Sequence, residues 1–170
     1  FGFSDNFITG LELGKGFADE DSSGSTIQGL IINGFGKGGI TLLGHGIRIR
    51  TNNNTIQDNY IGTDISGTAA VGNVLSGIRI DSYSNPVDFT TIPIAGNIIS
   101  RNVISGNEFQ GGIFLWRGVT NTKITGNYIG TDSTGTIDLG NGGSGIFIPR
   151  TDTNNTIVGG TAPGEGNIIA

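Results

Sequence analysis

The stretch Asn59-Tyr-Ile-Gly-Thr-Asp-Ile-Ser-Gly-Thr-Ala-Ala-Val-Gly-Asn73 is written a second time as Asn127-Tyr-Ile-Gly-Thr-Asp-Ser-Thr-Gly-Thr-Ile-Asp-Leu-Gly-Asn141, 68 residues further along the chain. An internal repeat takes precedence over local readings, because each copy is one structural unit that cannot bury its own apolar face and must stack on its neighbours. A second phrase halves the period. Gly-Ile-x-Ile begins at Gly46, Gly77 and Gly145, and Gly112-Ile-Phe-Leu lies between the last two, so the intervals are 31, 35 and 33 residues.

Each interval holds three short apolar segments separated by Asn, Gly, Asp and Ser. From Gly46 these are Gly-Ile-Arg-Ile, Thr55-Ile-Gln and Asn59-Tyr-Ile-Gly. Segments this short, bounded by turn residues, read as strands and exclude helices. Three strands per repeat predict one coil of a parallel β-helix, with coils stacked at the strand spacing of about 4.8 Å. The expected fold is all-β, one domain over residues 1–170, with about five coils of 30–35 residues starting near 16, 46, 77, 112 and 145, and no evident caps. The first start rests on matching Ser25-Thr-Ile-Gln to Asn54-Thr-Ile-Gln, which sets Gly16-Phe17 opposite Gly46-Ile47. Ile47, Ile78, Ile113 and Ile146 should form one inward ladder, and Ile49, Ile80, Leu115 and Ile148 another. Asn54, Asn59, Asn97, Asn102, Asn127 and Asn167 fall at coil corners, where they tolerate left-handed backbone and can bond to the Asn above.

Composition agrees. The 32 glycines accompany Ile, Val, Leu and Phe rather than a polar low-complexity background, so they mark turns. A net charge of −5 without a basic cluster argues against nucleic acid as partner, and no apolar stretch approaches membrane-spanning length. Cysteine is absent, which removes disulfides and thiolate metal sites. The sequence opens Phe1-Gly-Phe without Met, the expectation for a processed or excised segment.

The phrases Asn-Thr-Ile-Gln-x-Asn-Tyr-Ile-Gly-Thr-Asp-x-x-Gly-Thr, Asn154-Asn-Thr-Ile-Val-Gly-Gly-Thr-Ala-Pro-Gly-Glu-Gly-Asn-Ile-Ile169 and Gly-Ile-x-Ile resemble the right-handed parallel β-helix repeats of large bacterial secreted and surface proteins. The likeness covers residues 25 to 170. It implies the fold and an extracellular or cell-surface location, while the same solenoid carries lyases, tailspikes, adhesins and passive stalks.

Outward residues of the Gly-Ile-x-Ile strand form two columns, Arg48, Arg79, Phe114, Phe147 and Arg50, Asp81, Trp116, Pro149. Aromatics there offer a contact face for sugar or another solenoid, unless loops fold over them. Polysaccharide cleavage requires paired acids or a metal-assisted base. Those columns hold only Asp81, beside Arg79 and Arg48, which reads as a surface salt bridge; Asp88 and Glu108 in nearby loops match no catalytic spacing. No catalytic residue is assigned and no cofactor expected. Asp64 and Asp132, one carboxylate per turn, are weak Ca²⁺ candidates. His45 has no partner in sequence, and the sequons at Asn53 and Asn154 fall at equivalent corners, where they would accept glycans in a glycosylating host unless they are plain Asn-rich turns.

Neither end carries a capping signature. Placing Gly166-Asn-Ile-Ile-Ala170 before Phe1-Gly-Phe-Ser-Asp-Asn-Phe-Ile completes one coil, so Ile168 and Ile169 can meet Phe1, Phe3, Phe7 and Ile8 of another copy. Two explanations fit such ends, a segment cut from a longer solenoid or copies stacked end to end; on the second, the sequence predicts a non-enzymatic, head-to-tail self-associating subunit of a surface filament, stalk or adhesin. The alternative is a carbohydrate-binding or polysaccharide-degrading module.

Overall fold

The computed structural model describes residues 9–14, 22–37, 44–84 and 90–170, all strand, turn or irregular backbone. Three five-stranded parallel sheets run the length of the molecule. The first sheet stacks Leu11–Leu13, Ile47–Ile49, Ser76–Ile80, Gly111–Leu115 and Ile146–Phe147. The second stacks Thr26–Gln28, Thr55–Gln57, Ile98–Ser100, Lys123–Thr125 and Ile157–Val158, and the third Ile31–Ile32, Tyr60–Ile61, Val103–Ile104, Tyr128–Ile129 and Ile168–Ile169. One strand of each sheet makes one coil, so the chain is a five-coil parallel β-helix. An antiparallel pair, Tyr83–Ser84 with Thr91–Ile92, is inserted in the third coil.

Inward residues form the predicted ladders. Ile47, Ile78 and Ile113 are in register and fully buried, as are Ile49, Ile80 and Leu115. The second sheet adds Ile27, Ile56, Ile99 and Ile124, and the third Ile32, Ile61, Ile104 and Ile129. Parallel sheets with buried faces favour β-branched side chains, and each buried Ile contributes roughly 1.5–3 kcal/mol. Ile146 is half-buried and Ile148 exposed, because they lie on the last coil.

The first coil begins elsewhere than the sequence suggested. Leu11, Glu12 and Leu13 pair with Ile47, Arg48 and Ile49, so Gly10-Leu-Glu-Leu is the first copy of the Gly-Ile-x-Ile phrase. The 29-residue offset of the second strand does not extend back to the first, because coil lengths vary in the turn between them. Residues 15–21 lie outside the described residues.

The corner asparagines stack into ladders. In one, Asn59, Asn102 and Asn127 each donate Nδ2 to the next Oδ1 at 3.0 Å, ending on Asn167, and each backbone N–H donates to the same oxygen. Asn54 bonds Asn97 in the same way. A third ladder, Asn73 to Asn107 to Asn141, was missed although each member follows a glycine. On the first coil these positions are Ser25, Leu30 and Phe35, whose N–H groups donate to Asn54, Asn59 and Asn73. Left-handed backbone belongs to the residue before the corner: Asn53 (φ 57°), Asp58 (56°) and Arg101 (54°), with Gly96 and Gly126 at matching places. The corner Asn keeps ordinary backbone, and its amide links the coils on either side: Nδ2 of Asn59, Asn102 and Asn127 also donates to Ile27 O, Ile56 O and Ile99 O of the preceding coil.

Candidate functional site

The 68-residue phrase is a structural device. Its Asn is a ladder member, its Ile (Ile61, Ile129) fills the core, and its Tyr (Tyr60, Tyr128) points outward beneath the loop that follows. A Cβ on Gly135 would lie 2.6 Å from the Tyr128 ring, and one on Gly67 3.2 Å from Tyr60, so glycine lets each loop lie flat on its tyrosine. The two loops sit on the second and fourth coils and touch each other, Ser133 N–H donating to Gly67 O at 2.9 Å and Ser133 Oγ to Ser66 O at 3.1 Å. They meet because the third coil turns tightly at 105–107, leaving a gap of two strand spacings, about 9.6 Å, for the long loops to close. The fifteen-residue phrase belongs to the second and fourth coils, which gives the doubled period.

Asp64 and Asp132 organise these loops. Asp64 accepts Ser66 Oγ (2.7 and 2.9 Å), Thr68 N–H (3.1 Å) and Ala69 N–H (3.2 Å). Asp132 accepts Thr134 Oγ1 (2.8 and 2.9 Å), Thr136 N–H and Ile137 N–H (both 3.0 Å). Hydrogen bonding holds both carboxyls below the ordinary range, led by Ser66 for Asp64 and by the Ile137 N–H for Asp132. The oxygens that would bind Ca²⁺ already have donors from their own turn.

The outward face of the first sheet is the strongest concentration of charge and aromatic surface. Register aligns Glu12, Arg48, Arg79, Phe114 and Phe147 in one column. Asp81 is the hub of the basic half. Arg48 clamps it with Nε to Oδ1 at 2.9 Å and Nη2 to Oδ2 at 2.8 Å, Arg79 Nε reaches Oδ1 at 3.0 Å, and Arg50 Nε reaches Oδ2 at 3.4 Å. Arg50 also faces Glu12 at 3.6 Å. This is a buried network, Asp81 being 4% and Arg48 8% exposed, and not the surface salt bridge that the sequence suggested. Burial opposes the charge of Asp81, but the Arg48 hydrogen bonds and the nearby guanidinium charges outweigh it and leave its carboxyl below the usual range.

His45 lies against this network. It is 2% exposed, and its Nδ1 sits 2.7 Å from Ser76 Oγ. Burial first, then Arg79 and Arg48, push its pKa from 6.5 to about 3, against a smaller opposing pull from Asp81. The unfolded chain therefore binds a proton below pH 6.5 that the folded chain refuses until about pH 3. Stability from His45 is full above pH 6.5 and is lost as pH falls through that window, by about 1.4 kcal/mol per pH unit. Asp81, lowered from 3.8, adds loss of the same sign at more acid pH. Denaturant unfolding from pH 7 to 4 should show this slope, and His45→Gln should flatten it.

The aromatic half stacks. Phe114 lies 5.4 Å from both Trp116 and Phe147, with planes inclined by 21° and 23°; Arg79 covers Phe114 at 4.9 Å and Arg150 covers Trp116 at 5.1 Å. Phe114 is buried, Trp116 half-buried and Phe147 43% exposed, so the row opens to solvent mainly at Phe147. The contact face is therefore split between a buried basic network and a partly open aromatic edge.

The sequon asparagines are both exposed but not equivalent. Asn155, not Asn154, shares the left-handed position of Asn53, through the register Thr55, Ile98, Lys123, Ile157. Of the end-to-end residues, Ile168 and Ile169 are 44% and 50% exposed, while Phe1, Phe3, Phe7 and Ile8, like Asp88, lie outside the described residues. No protein-family model, curated protein or solved structure matches the chain.

Proposed function

We propose that this chain is a non-catalytic structural β-solenoid of the cell exterior, a building block of a surface filament, stalk or adhesin that associates by stacking coil on coil. The observation that supports it is the use made of acid side chains. Eight of the nine described carboxylates, all but Asp152, are bonded within the fold: Asp58 to Arg101, Glu108 to Lys37, Glu165 to Lys123, Asp138 to the Gly140 N–H, and Glu12, Asp64, Asp81 and Asp132 as above. Carboxylates spent on turns and ion pairs stabilise a rod; a hydrolytic pair must face substrate. The extracellular placement follows from the resemblance of the repeats.

Stacking has an apolar surface on both outer coils. Ile157, Val158, Ile168 and Ile169 are exposed on the last coil, and Leu30 and Ile31 on the first. Because the first coil carries Ser25, Leu30 and Phe35 where later coils carry Asn, a junction between copies is held by strand pairing and apolar contact without a continuing amide ladder. Such a junction is weaker than the internal ones, so association should be reversible and rise with concentration. Sedimentation velocity over a concentration series should show this growth, and Ile169→Lys should abolish it with the circular dichroism unchanged. Growth that Ile169→Lys leaves intact would refute an edge-to-edge junction.

A second reading is favoured by the stacked row Trp116, Phe114, Phe147 with its open end: a face that holds carbohydrate. The two readings are compatible, since a stalk can present a binding face along its side.

A further inference from the structure

Phe109 is 61% exposed, yet its backbone is fixed. The N–H groups of Glu108, Phe109 and Gln110 donate to the carbonyls of Asn73, Val74 and Leu75 on the coil below at 2.9, 3.0 and 3.3 Å, and Asn107 O accepts the Gly142 N–H at 2.7 Å. The turn cannot swing to bury its ring, so the solenoid holds an aromatic side chain in water, forgoing part of the roughly 1.5–3 kcal/mol that burial gives. Phe109 lines two clefts. One, of about 260 Å³, is lined by Phe109, Phe114 and Phe147 together with Gln110, Gly143 and Ser144. The other, of about 360 Å³, runs from Phe109 to Ala70 and Leu139 over Gly142, with Glu108 on its wall.

We propose that this double cleft binds a neutral polysaccharide laid across Phe109, one sugar ring on either side, an assignment that rests on the carbohydrate-face reading. Three phenyl rings suit the apolar faces of a pyranose, and the Gln110 amide and Ser144 hydroxyl among the lining residues suit its hydroxyl edge. Each cleft is about the lower limit of a pocket for a small organic ligand, a fit for one or two rings rather than a folded partner. Charge selects the sugar. Glu108 on the wall is paired with Lys37 at 3.6 Å, which leaves no unpaired cation there among the described residues for a uronate or sulfate, and the net charge of −5 disfavours such chains and favours a neutral hexose or pentose polymer.

The test is calorimetric titration of the full chain with cellohexaose, mannohexaose, xylohexaose and hexagalacturonate, with emission of the single tryptophan, Trp116, as a second readout beside Phe114. Saturable binding of at least one neutral hexasaccharide is expected, weakened about tenfold or more in Phe109→Ala with the melting temperature unchanged. Binding of hexagalacturonate alone would overturn the neutral assignment and leave the carbohydrate face standing. Binding of none of the four, or neutral binding that Phe109→Ala does not weaken, would overturn the site. Neither result touches the structural reading, which is read from sedimentation.

Discussion

Replacing Asn102 by alanine is expected to lower the unfolding free energy by about 4 kcal/mol, a loss that chemical denaturation followed by circular dichroism would measure. The amide is fully buried at the centre of its ladder. Its Nδ2 donates to Ile56 O at 2.9 Å, Ser100 O at 3.1 Å and Asn127 Oδ1 at 3.0 Å, and its Oδ1 accepts both the backbone N–H and the Nδ2 of Asn59 at 3.0 Å. Alanine strands those partners in a core that holds Ile56, Ile99 and Ile104 at zero exposure, so water cannot replace what is lost. Asn102→Asp does no better. It keeps an acceptor for Asn59 but sets a carboxylate against Asn127 Oδ1 and two carbonyls, so the donating half of the amide is what aspartate fails to supply. The contrast is Asn167→Ala at the open end of the same ladder, where the side chain is half-buried and the expected cost is about 1 kcal/mol. Equal costs at the two positions would mean that the ladders do not carry the stack.

Asp81→Ala should cost a comparable amount, roughly 3–5 kcal/mol, because it removes the bidentate partner of the buried Arg48 and leaves Arg79 and Arg50 turned toward the same space. The penalty comes from breaking the network, since charges placed in low dielectric have already lost their hydration. Asp81→Asn, with the same shape and no charge, recovers only part of it. Asp58→Ala breaks an equally short bidentate pair with Arg101, 2.8 Å on both contacts, and should cost under about 1 kcal/mol because those side chains are 37% and 55% exposed. The same bond lengths with different burial therefore predict different losses, and similar losses in Asp58→Ala and Asp81→Ala would contradict the role given to burial.

The fold was legible because a parallel coil repeats its inward pattern without interruption. Gly-Ile-x-Ile at 46, 77 and 145, with Gly-Ile-Phe-Leu at 112, places the strands, and stacking like on like makes Ile47, Ile78 and Ile113 a column from sequence alone. The first coil was misplaced because Gly10-Leu-Glu-Leu replaces both isoleucines, and because the turn to the second strand is longer there than on the second coil. Burial on the outer face was not legible, since alternation within a strand says which residues point out but not what lies over them. Arg48, Asp81 and Phe114 look like surface residues in sequence and are buried in the fold. The sequons misled by one residue: Asn-Asn-Thr occurs at 53 and 154, but the left-handed corner falls on Asn53 and Asn155, a shift that only strand register reveals. Phe109 had no signal in sequence, because it lies in the short turn between two copies of the loop.

The central claim is that this chain is a rod-forming solenoid whose outer coils accept further coils. Electron micrographs of the concentrated protein test it most directly. The account predicts rods one solenoid wide that lengthen with concentration, with an axial repeat of about 4.8 Å between coils. Separate particles of monomer mass at every concentration would contradict it.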